Sequence, residues 1–313
     1  MNIVLVQCPN PVLEVPTAHF PQSLLYVGGA LKQAGHRVQI ADLRAKETVQ
    51  AEDIPLGDVI GVTATSGEVH MAKEVARIAC ERNSKAMIGG AHATFMPQDC
   101  LEDFDYVIQG DGEIAAAKAL ESGKSGLYSS PVNSLKGLFP NWGLIGEQGF
   151  SRELFPGAGY GEGPLAAGIT SSRGCPYKCS YCQIQGRKVR FRPISDVVTE
   201  IKGLKERWGI RHFRFYDDCA TLNKRRALDL FSVLETLDIE WRGHSRSDLW
   251  TDELAQAAYK AGCREIVFGF ESATDSVLQA IRKGETVAQH REAVRVCKRN
   301  GILAKAFWMV GLS

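Results

Sequence analysis

Short apolar runs alternate with amphipathic stretches along all 313 residues, and this alternation constrains the fold more than any other feature. In the first half the runs are Ile3–Val6, Val38–Asp42, Val59–Thr63, Ala86–Gly90 and Tyr106–Gly110, with helical segments over Leu24–Ala34 and Val69–Arg82. Runs this short and this apolar suit strands buried on both faces. The second half repeats the rhythm at Ala166–Ser171, His212–Asp217, Glu240–Ser245, Glu265–Glu271 and Ile302–Val310. Helices are expected between them near Ile194–Trp208, Lys224–Leu237, Thr251–Ala261 and Val287–Arg299. Thr251, followed by Asp252 and Glu253, fits an N-cap with acidic residues in the first turn, and Gly209, Gly262 and Gly301 fit helix ends. Strands alternating with helices give parallel α/β sheets.

Two such sets predict two domains, 1–122 and 165–313, joined by a connecting region over 123–164. That region loses periodicity and is rich in Gly, Ser and Pro, as loops are. Trp142, Phe150 and Phe155 are too many large apolar groups for a free tether, so it is expected to pack across both domains.

Ligands in such sheets sit beyond the carboxyl ends of the strands. Small and polar residues gather there in the first half: Thr63-Ala64-Thr65-Ser66-Gly67, Gly89-Gly90-Ala91-His92-Ala93-Thr94 and Gln109-Gly110-Asp111-Gly112-Glu113. Any one alone reads as a tight turn. Three on one edge argue for a groove that a flat ligand can approach closely. Its candidate residues are Thr65, Ser66, Gly89, Gly90, Ala91, Gln109 and Gly110.

In the second half, Cys175-Pro176-Tyr177-Lys178-Cys179-Ser180-Tyr181-Cys182 follows the first strand. This spacing puts three thiolates on one loop, within reach of a single metal centre. Structural zinc and ordinary [4Fe–4S] sites both close with four protein ligands. Three would leave one cluster iron open to a small molecule. The competing reading is a zinc knuckle completed by Cys219 or His212, which would make the chain a zinc-stabilised binding protein. The nine cysteines are an odd number, and the N-terminus lacks the pattern of an export signal, so a cytoplasmic location is expected. Most of the cysteines outside the motif read as buried apolar residues; Cys219, just after Asp217-Asp218, stands apart.

With the aromatic at Tyr181, the cysteine run resembles the radical S-adenosylmethionine (SAM) superfamily, whose signature is C-x3-C-x-aromatic-C. The resemblance implies a [4Fe–4S] cluster on Cys175, Cys179 and Cys182, whose open iron chelates SAM. Reductive cleavage of SAM then gives a 5′-deoxyadenosyl radical. It also implies a partial (β/α) barrel with the cluster loop at its C-terminal mouth. Polar groups at other strand ends would face SAM beside Tyr181: Asp217 or Asp218 its ammonium, Arg246 its carboxylate, Glu271 and Ser272 its ribose and methionyl region. The alternatives are a turn and helix cap for one of the aspartates and an ion pair to Asp248 for Arg246. Gly311-Leu312-Ser313 stands where the family has G-L-P, after five countable strands where the superfamily generally has six. A truncated form, or a barrel that closes otherwise, is expected.

The first half resembles the cobalamin-binding domain of B12-dependent radical SAM enzymes. The motifs that carry this are Gly89-Gly90-Ala91-His92-Ala93-Thr94 and Phe104-Asp105-Tyr106-Val107-Ile108-Gln109-Gly110-Asp111-Gly112-Glu113. A doubly wound, Rossmann-like domain holding cobalamin without a histidine ligand is implied, because no D-x-H-x-x-G run is present. His92 reads as a turn or packing residue. The implied reaction is methylation of an unactivated carbon or phosphorus in a small molecule or peptide, with an external donor such as flavodoxin or ferredoxin. Radical oxidation, cyclisation or rearrangement, with cobalamin absent or non-methylating, is the alternative within enzymes.

Composition excludes little else. Net charge of +1 offers no general attraction to nucleic acid or anionic membrane. The basic run Arg187–Arg192 alternates charged and apolar residues, as an extended segment with one solvated face would, and is read as structural. No stretch is long and apolar enough to span a membrane.

Overall fold

The computed structural model describes residues 1–10, 13–146, 149–152 and 163–312. The chain divides into two compact units, one of residues 1–133 with 137–151, the other of 134–136 with 152–313.

In the first unit β1 (Asn2–Gln7), α1 (Gln22–Gln33), β2 (Arg37–Asp42), β3 (Val59–Thr63) and α2 (Val69–Glu81) lead to β4 (Lys85–Gly89). Then come α3 (Gly90–Phe95), β5 (Tyr106–Gln109), α4 (Gly112–Ser122) and β6 (Gly126–Ser129). The six strands form one sheet in the order β2-β1-β3-β4-β5-β6, every pairing parallel. Ile3 and Leu5 enter the core on the α1 and α4 side, with Leu24, Leu31 and Ala116. Val4 and Val6 enter the core that holds Val75 and Ala79 of α2. Burial on both faces explains why β1 is an unbroken apolar run. The order reverses at β1, so the chain leaves β1 and β3 in opposite directions and opens a crevice at their carboxyl ends.

β6 lies inside the segment read from sequence as a connector. It pairs with β5 from Tyr106↔Gly126 to Gln109↔Ser129. Only alternate residues of its four are partly buried, so a flank of Gly, Ser and Pro hides its pattern. Trp142 stacks on Phe150, centroids 5.4 Å apart, and meets Phe20 edge-on at 5.8 Å, all within the first unit. Phe155 lies outside the described residues.

The second unit begins with β7 (Ala166–Ile169) and a two-stranded ribbon of β8 (Ser172–Arg173) and β9 (Arg190–Phe191). It continues through α5 (Ile194–Trp208), β10 (His212–Phe215), α6 (Lys224–Leu234), β11 (Glu240–Ser245) and α7 (Asp252–Lys260). β12 (Cys263–Glu271), α8 (Asp275–Ala280), α9 (Val287–Arg299) and β13 (Leu303–Trp308) complete it. The main sheet runs β7-β10-β11-β12-β13, all parallel and in chain order. It is wound in one direction only, as one wall of a barrel is.

One face packs on helices. Trp241 meets Phe215 and Phe231 at 5.3 Å each, and its indole N–H donates to the Ala261 carbonyl. The other face is polar. Adjacent strands place Arg214 beside Arg242 and Arg242 beside Glu265, with His244 next along β11. This is the period-two alternation of Glu240-Trp241-Arg242-Gly243-His244-Ser245 realised in space.

Candidate functional site

The carboxyl ends of both sheets carry the candidate residues. In the second unit β8 and β9 pair antiparallel, Ser172↔Phe191 and Arg173↔Arg190, and so close the neck of the cysteine loop. Inside the loop, Gly186 N–H donates to the Tyr177 carbonyl at 2.7 Å and Cys182 N–H to that of Cys179 at 3.0 Å. Contacts to the sheet ends pin it. Gly174 N–H donates to Asp218 Oδ2 at 2.8 Å, Ser180 N–H donates to the Ile281 carbonyl at 2.9 Å, and the Arg246 guanidinium lies 3.5 Å over the Tyr177 ring.

Cys175, Cys179 and Cys182 are free thiols, Cys179 buried and the others partly so. Burial pushes the Cys175 thiol up, with Cys219, Asp218 and Cys182 adding to the rise. Among the described residues no three His, Cys, Asp or Glu side chains are gathered in metal-holding geometry. The three sulfurs share one loop, and Cys219 lies close enough to Cys175 to act on its thiol. Cys219 is buried with its sulfur 3.7 Å from Thr221 Oγ1, and burial raises its thiol. Three free thiols on one closed loop are the number that would leave one iron of a [4Fe–4S] cluster without a protein ligand.

The other predicted residues divide. Asp217 is fully buried and its carboxylate is taken up by the chain itself. Ser171 N–H donates to Oδ1, and the Ser171 and Ser172 hydroxyls donate to Oδ2, all at 2.6 Å. Asp218 is exposed apart from its bond to Gly174. Arg246 is buried against Asp248, at 2.9 and 3.0 Å, and donates to the Lys283 carbonyl. Glu271 is buried at the end of β12 with φ +65°, a left-handed conformation rare for such a residue. Its carboxylate lies 3.8 Å from Lys283 Nζ. Strain of this kind gathers at functional sites. Ser272 Oγ accepts from Thr274 N–H, the bond of a local turn. Burial, followed by the Glu271 carboxylate, pushes the Tyr181 hydroxyl well above its usual range, so it stays a hydrogen-bond donor.

In the first unit a cavity of about 100 Å³ opens at the strand ends, lined by Thr63, Gly89, Gly90, Ile108, Gly110 and Gly112 among others. Gly90 has φ +92°, and a Cβ there would stand 2.6 Å from Thr63 Oγ1 and 2.9 Å from the Ala64 carbonyl oxygen. The rim is ordered by side chains. Glu68 accepts from Thr65 N–H at 2.7 Å, Ser66 Oγ lies 3.1 Å from His92 Nδ1, and Gln109 Nε2 donates to the Thr94 carbonyl at 3.1 Å. Ala91 is exposed beside them, while His92 is buried, as a packing residue would be.

Sequence reasoning passed over Lys283, Glu285, Arg242 and His244. The first two lie in Arg282-Lys283-Gly284-Glu285, which reads as a solvated turn yet has Lys283 and Glu285 buried. The alternation of β11 was the available signal for the other two. Burial and the neighbouring Arg214 and Arg242 pull His244 down to about 4. In the basic run, Arg192 is buried, paired with Glu200 at 2.5 Å and bonded to the Thr170 carbonyl.

Comparison with known proteins assigns this two-part arrangement. Residues 11–120 match the B12 binding domain and residues 169–312 the radical SAM superfamily. The chain belongs to the radical SAM enzymes that carry a B12-binding domain, a family whose cofactors are a [4Fe–4S] cluster, SAM and cobalamin. It is similar to an uncharacterized methyltransferase, PH0819, of Pyrococcus horikoshii, at 29% identity over 99% of this chain and 74% of that protein. It is also similar to an anaerobic magnesium-protoporphyrin IX monomethyl ester cyclase of Cereibacter sphaeroides, at 27% identity over 93% of this chain but 53% of the cyclase. Among solved structures, the radical SAM methyltransferase TsrM of Kitasatospora setae, with cobalamin and a [4Fe–4S] cluster bound, shares the fold. Its TM-score is 0.76 at 18% identity, covering 99% of this chain and 69% of TsrM. No helix among the described residues is long and apolar enough to cross a membrane.

Proposed function

We propose that this chain is a cobalamin-dependent radical SAM methyltransferase acting on an unactivated carbon or phosphorus of a small molecule or peptide. The observation that carries the reading is the hairpin-closed loop at the sheet mouth with three free thiols, Cys175, Cys179 and Cys182. These three would hold the cluster. Glu271, Ser272, Asp218 and Tyr181 would line the SAM pocket, and Arg246 would hold the loop through Tyr177. Asp217 would shape the strand end from behind rather than touch SAM, because its acceptor positions are occupied by Ser171 and Ser172. Gly89, Gly90, Ala91 and Gly110, with Thr65, Ser66 and Gln109 on the rim, would receive the corrin. When bound, the cluster and SAM supply a radical initiator and cobalamin a transferable methyl group. An external reductant of flavodoxin or ferredoxin type would supply the electron.

Anaerobic reconstitution tests this. Binding of about four irons and four sulfides per chain, with corrinoid uptake, is expected. With SAM and reductant the loaded protein should form 5′-deoxyadenosine, and bound cobalamin should become methylated. Cluster assembly and 5′-deoxyadenosine formation without cobalamin methylation would favour cyclisation or oxidation, the kind of reaction named for the Cereibacter relative. Bound zinc without sulfide would overturn the enzyme reading.

A further inference from the structure

Four buried charges lie behind the cysteine loop: Arg246, Glu271, Lys283 and Glu285. Their centre is Lys283. Its Nζ is 3.1 Å from Glu285 Oε2, 3.5 Å from the Tyr181 hydroxyl and 3.8 Å from Glu271 Oε1. The backbone aims it there. Lys283 N–H donates to the Leu278 carbonyl, and its neighbours Arg282 and Gly284 both have left-handed φ, +54° and +71°. Gly269 leaves the room: a Cβ there would stand 2.4 Å from Glu271 Oε1 and 3.2 Å from Lys283 Nζ. Glu285 is fixed in turn, because Oε1 accepts from Ser247 N–H at 2.6 Å and Ser247 Oγ at 2.8 Å. Arg246, stacked on Tyr177, approaches the same Glu285 at 3.9 Å. Both tyrosines of the cysteine loop are thus held by cations, Tyr177 by Arg246 and Tyr181 by Lys283, and both cations share one anchored carboxylate.

We propose that Lys283 is a positioning residue that holds Tyr181 of the cysteine loop and Glu271 of the strand end in one arrangement, and that its charge raises the reduction potential of the centre held by Cys175, Cys179 and Cys182. The inference rests on the cluster reading above. A buried ammonium costs several kcal/mol unless it is paired. Here two carboxylates and a hydroxyl compensate it, so its geometry is fixed. The Tyr181 oxygen accepts from the ammonium at 3.5 Å. Charge and hydrogen bonds near the sulfurs set the potential of iron–sulfur centres, and partners one shell out from the ligands tune them.

The test compares the reconstituted wild-type chain with Lys283→Met, Lys283→Arg and the charge-relieved double variant Lys283→Met/Glu285→Gln. Iron and sulfide content, the midpoint potential, the electron-spin spectrum of the reduced cluster with and without SAM, and SAM affinity are measured. Lys283→Met should retain iron and sulfide, shift the midpoint potential negative and weaken SAM binding about 10- to 100-fold, with Lys283→Arg restoring most of both. If Lys283→Met fails to fold, the double variant is read by its SAM affinity alone, because it removes one cation and one anion together. A full cluster with unchanged potential and SAM affinity in Lys283→Met, or unchanged SAM affinity in the double variant, overturns the proposal. Loss of the folded state in both, with Lys283→Arg indistinguishable from wild type, makes Lys283 a folding residue and also overturns it. A wild-type chain that assembles no cluster refutes the cluster reading instead, and that outcome is visible before any variant is made.

Discussion

Replacing Asp217 separates a structural carboxylate from a SAM ligand. Three hydrogen bonds of 2.6 Å end on it, from Ser171 N–H, Ser171 Oγ and Ser172 Oγ. Bonds to a charged acceptor contribute about 1.5–3 kcal/mol each, but their sum overstates the loss in Asp217→Ala. The two hydroxyls can turn to other acceptors, and Ser171 Oγ already accepts from Arg226 at 3.3 Å. The Ser171 N–H cannot turn, and a buried orphaned donor costs about 1–3 kcal/mol. Adding the lost packing and the weakened hydroxyl bonds gives about 3–5 kcal/mol for Asp217→Ala. Asp217→Asn keeps an acceptor for the N–H, and the serine hydroxyls can accept from its amide, so about 1–2 kcal/mol is expected. Two compact units invite a transition that is not two-state, so a single midpoint would mislead. Native-state hydrogen exchange assigns the loss to a place. Amides of β7 and β10 should lose protection in the order wild type, Asn, Ala, while β1 and β3 of the first unit keep theirs. Unchanged protection in Asp217→Ala together with lost SAM binding would refute the reasoning and return Asp217 to the ligand set.

Four further outcomes are expected. Cys175→Ala, Cys179→Ala and Cys182→Ala should each abolish SAM cleavage and lose iron, and any one that keeps a full cluster and normal 5′-deoxyadenosine production breaks the ligand assignment. Gly90→Ala should destabilise the first unit, since its Cβ would press on Thr63 and the Ala64 backbone. A Cβ at Gly110 meets nothing within 4 Å, but its φ of +83° strains most side chains, so Gly110→Asn, which tolerates that conformation best, should leave a folded chain that takes up less corrinoid, read by melting temperature and by visible absorbance of bound corrin. His244, lowered from 6.5 to about 4, is neutral in the folded chain at pH values where the unfolded chain protonates it. Its contribution is therefore intact above pH 6.5 and is lost as pH falls toward 4, by about 3 kcal/mol. His244→Gln should flatten the acid limb of the second unit's stability profile by that amount, and an unchanged limb in denaturant titrations at pH 7, 5.5 and 4 would contradict the assignment.

Strands buried on both faces were legible because burial leaves the same mark on every residue. Ile3 to Val6 could hardly be anything else, and the same holds for Val59 to Val62. β6 was not legible. An edge strand has one neighbour, and here only Gly126 and Tyr128 of its four residues are even partly buried. The cysteine loop was legible as a motif because its spacing is local, and Glu271 as a strand-end carboxylate for the same reason. The hydrogen bonding of Asp217 was not legible, because its partners, Ser171 and Ser172, lie more than forty residues away in sequence. Lys283 and Glu285 were missed for a related reason. Charged residues around a glycine read as a solvated turn, and only the packing of that turn on Ser247, Tyr181 and Glu271 buries them.

The two sheets differ in what they can offer a ligand, and the difference follows from their faces. In the first unit both faces are filled by helices, with Val4 and Ile60 on one side and Leu5 and Met87 on the other. A large ligand can reach that sheet only beyond its edge, where Gly89, Gly90 and Gly110 leave the backbone bare. In the second unit the helices claim one face through Phe213, Phe215 and Trp241. The opposite face sets Arg242 against Glu265 at 3.2 Å, with Arg214 and His244 alongside. Polar groups on a sheet face are costly if enclosed among apolar atoms and cheap against water or a polar ligand. A chain that only needed a stable parallel sheet would have filled that face with Val, Ile and Leu, as the first unit does. Here Arg214 and Glu265 are buried on that face, and the Arg242–Glu265 pair offsets part of the cost of enclosing them, so the polar face is held by its own ion pairing and not by apolar packing.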